Sequence, residues 1–161
     1  MGRYYSTYSG REGKFMFAVQ PSDDPEFMGM TENTSQIHYY ADESDKREIR
    51  KKVKEQYEIL GVPREDRLYV FPKTKDGKED TEKYAKWEEE KLYPKVWKNV
   101  KYDEATEEEK KASHWTSTLG NDYFAIELEK GKCLALARIR LGIDILTDIE
   151  NDGVCELDAE V

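Results

Sequence analysis

The chain has 161 residues, of which 37% are hydrophobic and 38% are charged, and its formal net charge is −9. This length and composition predict a single domain, residues 1–161, with a modest apolar core. No apolar run follows Met1, and none approaches the ~20 residues of a membrane span, so we expect a cytoplasmic protein without a signal peptide or membrane contact.

The first forty residues predict β-structure. Tyrosines crowd residues 3–8, and apolar side chains alternate with others along residues 14–20. Pro21 ends that second strand, because proline cannot donate to a strand ladder. Residues 36–40 alternate in the same way and predict a further strand.

An amphipathic helix is predicted next. Ile49, Val53, Tyr57 and Leu60 recur at helical spacing, and Gly61 is suited to cap the helix. The same helix carries six basic side chains, which are Lys46, Arg47, Arg50, Lys51, Lys52 and Lys54. We interpret them as a solvated face that nearby acids partly neutralise. The alternative is a phosphate or nucleic-acid patch, which the overall negative charge disfavours.

The middle of the chain predicts mixed structure. Residues 67–71 indicate a short strand, and residues 81–93 indicate a helix that Pro94 kinks or ends. The apolar pattern of residues 96–100 predicts that this helical face continues beyond the proline.

A capping box begins the next helix. Thr106 and Glu109 stand three residues apart, and the helix is predicted to continue to Leu119. Residues 122–150 fit one long helical stripe slightly better than they fit a hairpin of residues 123–129 and 133–143. Arg138 and Arg140 alternate with apolar side chains and favour the hairpin locally, so both interpretations stay open.

The last residues predict a closing strand. Cys155, Leu157 and Ala159 alternate with acidic side chains over residues 154–161. Strands, then helices, then a final strand predict an α+β fold. We expect a small antiparallel sheet of three to five strands, packed by three or four helices.

Negative charge is concentrated at the C-terminal end. Residues 101–161 hold 15 acids and 7 bases, which accounts for −8 of the net −9. The last 21 residues hold no basic side chain and seven acidic ones, which are Asp144, Asp148, Glu150, Asp152, Glu156, Asp158 and Glu160. We interpret these seven as one outward surface that binds a basic protein partner. The alternative is the solvated face of an edge strand, whose charges block pairing with other strands.

Two other function classes remain open. A small hydrolase-like enzyme would use His38 or His114 with Asp23 and Asp24, but neighbours in sequence give no catalytic triad. We therefore favour a non-enzymatic binding protein. A third class is a structural or self-assembling protein, in which the basic helix meets the acidic end of a second copy.

Metal and cofactor sites are not predicted. Cys133 and Cys155 are too few for a disulfide framework or a structural zinc site, and we expect buried thiols. Asp23, Asp24 and Glu26 crowd one loop, but the glycine and distal glutamate of a calcium-binding loop are missing.

The N-terminal segment resembles the start of small uncharacterised acidic proteins from phages and large DNA viruses. The resemblance rests on Gly2-Arg3-Tyr4-Tyr5, Glu12-Gly13-Lys14-Phe15-Met16-Phe17 and Val19-Gln20-Pro21-Ser22-Asp23-Asp24. A looser similarity covers residues 141–161. No activity is known for that group, so no functional residue carries over. The resemblance implies a virus-encoded accessory protein that acts inside a host cell.

Overall fold

The computed structural model describes residues 4–10, 12–14, 20–32, 38–116 and 123–159. The strands are β1 (Tyr4–Thr7), β2 (Glu12–Lys14), β3 (Thr31–Glu32), β4 (His38–Asp42), β5 (Trp97–Lys101), β6 (Ser113–Thr116), β7 (Tyr123–Glu127) and β8 (Val154–Ala159). The α-helices are α1 (Asp24–Phe27), α2 (Lys46–Leu60), α3 (Thr81–Trp87), α4 (Tyr93–Val96), α5 (Glu107–Ala112) and α6 (Lys132–Asp152). The fold is α+β, as predicted.

The larger sheet has five antiparallel strands in the order β2-β1-β8-β4-β3. The closing strand β8 therefore lies in the middle, where Leu157 is opposite Tyr39 of β4 and Ala159 is opposite Tyr5 of β1. The strand predicted at residues 36–40 is β4, which begins at His38. Most of the strand predicted at residues 14–20 lies outside the described residues.

The long ambiguous segment contains one strand and one helix. β7 is followed by Gly131 in a left-handed conformation (φ 98°), and α6 then continues to Asp152. Thirteen of the 21 residues of α6 are buried, so the helix is enclosed by protein on most of its circumference. The single helix predicted over residues 122–150 is therefore wrong for residues 123–127, where the first strand of the alternative hairpin is confirmed as β7. The second hairpin strand, residues 133–143, is wrong. The arginines that suggested it reach acidic partners from the helix: Arg138 pairs with Asp24, and Arg140 pairs with Glu88.

Helix α6 lies between the five-stranded sheet and α2. The two helices approach closely at Gly142, where an added Cβ would lie 2.3 Å from Val53 Cγ2. The predicted stripe of α2 faces this contact, and Ile49, Val53 and Tyr57 are fully buried. Sheet, α6 and α2 therefore form three successive layers around one apolar core.

The strand predicted at residues 67–71 is wrong. This segment follows a short 3₁₀ turn and pairs with none of the strands that the structure describes. Its backbone is held by helices instead, since the Tyr57 hydroxyl bonds the backbone of Leu68, and the Phe71 N–H donates to Thr147 Oγ1 at 2.9 Å. An extended apolar segment needs backbone partners, and here side chains provide them.

A second antiparallel sheet, in the order β5-β7-β6, was not predicted. The capping box is confirmed, because Thr106 and Glu109 exchange side chain-to-backbone bonds of 3.1 Å. The helix that it begins, α5, ends at Ala112 rather than Leu119, since residues 113–116 pair with β7. Residues 97–101 also pair with β7, so the helical face predicted there is wrong. Residues 117–122 lie outside the described part of the chain.

The predicted effect of Pro94 is seen as a change of helix type. α3 passes into a π-helical turn over Glu88–Leu92 before α4 begins. Proline has no N–H for an interior helical bond, and a wide turn accommodates that loss.

Candidate functional site

The predicted alternation of the closing strand is confirmed over its described residues. Cys155, Leu157 and Ala159 are buried, whereas Glu156 is exposed and Asp158 is half-buried on the opposite face. Glu160 lies outside the described residues. The alternative is wrong about the edge, because β8 is paired on both sides and its carboxylates do not protect an edge. Its other part, a solvated face, agrees with the exposure of Glu156.

These carboxylates lie on a sheet face opposite the one that α6 covers. Cross-strand pairing sets Asp158 between Ser6 and His38, and it sets Glu156 beside Tyr40. We call this surface the open sheet face, which is formed by Ser6, Tyr8, His38, Tyr40, Asp42, Val154, Glu156 and Asp158. The three central strands β1, β4 and β8 contain no lysine or arginine. The face is therefore acidic wherever these strands form it.

Apolar and aromatic surface accompanies the acids. Tyr8, in the turn after β1, is 63% exposed, and Val154 is 38% exposed. Tyr40 is half-buried and lies opposite Glu156 on the neighbouring strand β4. Tyrosine suits a surface that becomes buried on binding, because it combines a large apolar ring with a hydroxyl group.

Hydrogen bonds orient the side chains of this face. Asp158 accepts from the Tyr8 hydroxyl at 3.3 Å and contacts Nδ1 of His38. The Tyr40 hydroxyl donates to Asp42 at 3.1 Å. Desolvation and then the Asp158 carboxylate raise the pKa of Tyr8, so this hydroxyl keeps its proton and remains a donor well above neutral pH.

Two of the predicted surface acids do not face outward. Asp148 is 3% exposed, and it accepts from Ser9 Oγ at 2.8 Å and from Cys155 Sγ at 3.7 Å. Asp144 accepts from the Tyr5 hydroxyl. Both lie on α6 where it meets the N-terminal hairpin, so the prediction of one continuous outward surface is wrong for them. Because side chains on a helix follow a period of 3.6 residues, Asp144 and Asp148 lie against the N-terminal hairpin and not beside Glu156 and Asp158.

Asp144 and Asp148 line a cleft of about 800 Å³ that also contacts the segment before α3. Asp152 is exposed and lies on the same cleft, together with Phe71, Tyr84 and Arg140. Arg140 is already engaged, since Nε donates to Glu88 at 2.7 Å and Nη2 donates to the Tyr93 hydroxyl at 2.7 Å. The cleft is distinct from the open sheet face.

Glu150 is partly neutralised. Lys46 Nζ at the start of α2 lies 2.8 Å from its carboxylate. This hydrogen bond and the lysine charge lower the pKa of Glu150. The six predicted acids that the structure describes therefore divide into a cleft group (Asp144, Asp148 and Asp152), the ion-paired Glu150, and Glu156 with Asp158 on the open sheet face.

Of the described side chains of the enzyme alternative, those of His38 and Asp24 have separate partners. His38 contacts Asp158, whereas the buried Asp24 accepts from Gln20 at 2.9 Å and from Arg138 Nε at 3.1 Å. Asp23 precedes α1 without a side-chain capping bond. The side chain of His114 lies outside the described residues.

Sequence reasoning missed the aromatic members of the open sheet face. Period-2 alternation predicts that Tyr40 and His38 share a face, but no local pattern predicts that Tyr8 and Tyr40 lie beside the acids of β8. No sequence signal paired β8 with β1 and β4, and that pairing is what brings Tyr8 beside Asp158.

Both cysteines are buried thiols, as predicted, and burial raises the pKa of Cys133 to about 12. Among the described residues, no three His, Cys, Asp or Glu side chains are grouped so as to hold a metal ion. No described helix is long and apolar enough to cross a bilayer.

Comparisons with protein families, curated proteins and solved structures find no match to this chain. The resemblance of the N-terminal segment to viral proteins therefore stays a prediction.

Proposed function

We propose that this chain is a non-enzymatic binding protein whose open sheet face docks a basic segment of a protein partner. One observation carries the proposal: Glu156 and Asp158 project from the middle of a sheet whose three central strands contain no lysine or arginine. A virus-type accessory role would be compatible with this activity and rests on the N-terminal resemblance alone.

The physical case combines charge with contact surface. Carboxylates attract and orient lysine and arginine side chains, and charge complementarity sets the rate and specificity of docking. Tyr8 and Val154 add exposed apolar area beside the carboxylates, as at the centres of protein interfaces. An antiparallel sheet commonly leaves one face to solvent, so this face is available without unfolding.

The proposal is tested with an arginine-rich peptide as the probe, titrated by calorimetry. Glu156→Lys combined with Asp158→Asn changes the face by three charge units. We expect the Kd to rise at least tenfold, which is about 1.4 kcal/mol. Binding of the unaltered chain should also weaken as salt rises, because exposed charges are screened over ~10 Å at 0.1 M.

A matched control changes the same charge elsewhere. Glu90→Lys combined with Glu65→Gln alters two exposed carboxylates that lie off the open sheet face. Circular dichroism checks that both variants keep the native helix content. Equal weakening in the two variants, or no weakening in the first, would rule out the open sheet face as the docking surface.

A further inference from the structure

The exposed side of α2 carries a groove of about 650 Å³. Four cations line it, and they fall at positions i, i+3, i+4 and i+7 of the helix: Arg47, Arg50, Lys51 and Lys54. This spacing aligns them in one stripe ~10 Å long. Glu48 and Tyr69 also line the groove.

The acids that partly neutralise this helix pair with lysines outside the groove. Lys46 pairs with Glu150 at 2.8 Å, and Lys52 lies 4.0 Å from Glu55. Within the part of the chain that the structure describes, none of the four groove cations lies within ion-pair distance of a carboxylate. With Glu48 counted, the groove carries a net charge of about +3, four cations less one acid.

Arg50 and Tyr69 form a stacked platform at this groove. The Arg50 guanidinium lies over the Tyr69 ring, 3.8 Å from its centroid. Tyr69 is held in turn by an edge-to-face contact with the buried Tyr57, with ring centroids 5.7 Å apart. Arg50 is exposed, so the outer face of its planar guanidinium is open to a ligand.

From this geometry we propose that the α2 groove binds single-stranded nucleic acid. The lysines and Arg47 would neutralise successive phosphates, and one base would stack on the Arg50 guanidinium. At ~3.4 Å per nucleotide of a stacked strand, a stripe ~10 Å long spans about three phosphates, one for each of Arg47, Lys51 and Lys54. An acidic peptide would satisfy the same cations, but it has no planar base to use the Arg50–Tyr69 platform.

The negative charge of the whole chain does not decide binding at this groove. α6, a helix ~10 Å in diameter, separates α2 from the open sheet face. At 0.1 M salt that separation is about one Debye length, so the acidic face is largely screened from the groove. The expectation that the net charge of −9 prevents nucleic-acid binding applies to the molecule at long range and in dilute salt.

The test is fluorescence anisotropy of a labelled oligothymidylate, with poly-glutamate of equal charge as the competing probe. At ~0.1 M salt, where the acidic face is screened, we expect the oligonucleotide to bind. As salt rises further, the slope of log affinity on log salt should be no steeper than about −2, since about three phosphates are neutralised. Arg47→Glu combined with Lys51→Glu should weaken binding at least tenfold. Glu48→Gln should strengthen it.

Two further variants keep the test decisive. Lys75→Glu combined with Lys78→Glu makes the same charge change in the exposed loop before α3, and it should have little effect. Arg50→Lys keeps the charge but loses the planar stack, and it should weaken oligothymidylate several-fold while leaving poly-glutamate unchanged.

Some outcomes would overturn the proposal. Poly-glutamate that binds as tightly as the oligonucleotide, with no effect of Arg50→Lys, would assign the groove to an acidic protein segment. The proposal also fails if neither probe binds at ~0.1 M salt, or if the loop variant loses as much affinity as the groove variant.

Discussion

Charged residues of this protein differ mainly in their burial and in the groups that pair with them. Asp24 is fully buried and accepts bonds from Arg138 and Gln20, while the Arg138 guanidinium also lies 3.7 Å from the centroid of the Phe27 ring. Asp158, by contrast, is half-buried and oriented by Tyr8 and His38 on a face open to solvent. The first carboxylate stabilises the fold, and the second is available to a partner.

Replacing Asp24 with alanine tests this distinction. The substitution leaves Arg138 without its carboxylate, and the side chain of Arg138 is only 17% exposed. Breaking a buried ion pair in this way should lower the free energy of unfolding by about 3 kcal/mol. Urea unfolding measures the change. Asp152→Asn, at an exposed position, should stay within ~0.5 kcal/mol of the unaltered chain, and an equal loss in both would contradict the assignment.

Among the elements, α6 determines where both candidate surfaces lie. It covers one face of the sheet and supports α2 on its other side. Its contact with α2 depends on Gly142, because Val53 occupies the space of a side chain there. The absence of a Cβ lets the two helices pack closely, and Arg47, Arg50, Lys51 and Lys54 are exposed on the outer side of α2.

Gly142→Ala should therefore destabilise the fold. An added methyl group 2.3 Å from Val53 Cγ2 forces the helices apart, and such overpacking costs about 1–3 kcal/mol. Val53→Ala removes the opposing methyls, so the double variant should be more stable than the sum of the single changes predicts. Thermal or urea unfolding of the unaltered chain, the two single variants and the double variant gives a double-mutant cycle. Strict additivity would show that the two sites do not contact each other.

The sequence predicted elements better than it predicted their partners. The stripe of α2, the capping box at Thr106 and the alternation of β8 are local patterns, and each is confirmed. Residues 67–71 have β-like composition, but Tyr57 and Thr147 bind their backbone instead of a neighbouring strand. Such long-range pairing leaves no mark at short sequence spacing.

The lack of a local signal for spatial neighbours also explains why the candidate site was predicted only in part. Seven acids in 21 residues predicted one surface, because composition does not distinguish a helix from a strand. The helix turns Asp144 and Asp148 toward the N-terminal hairpin, and the strand turns Glu156 and Asp158 toward solvent. Their different periods, 3.6 and 2, separate residues that the sequence groups together.

At the scale of the whole molecule, charge is arranged in layers. The open sheet face is acidic, the outer side of α2 is basic, and α6 lies between them. A molecule built in this way presents opposite charges to partners on opposite sides. The central proposal is that the acidic side is a docking surface for basic protein segments.

Mapping the contact by nuclear magnetic resonance tests that proposal most directly. The arginine-rich peptide is titrated into isotope-labelled protein, and the backbone amide shifts are followed residue by residue. We predict that the largest changes fall on β8, β4 and the turn at Tyr8, and that they disappear in the Glu156→Lys, Asp158→Asn variant. Shifts confined to the cleft at Asp144 and Asp152, with the sheet unchanged, would contradict the account.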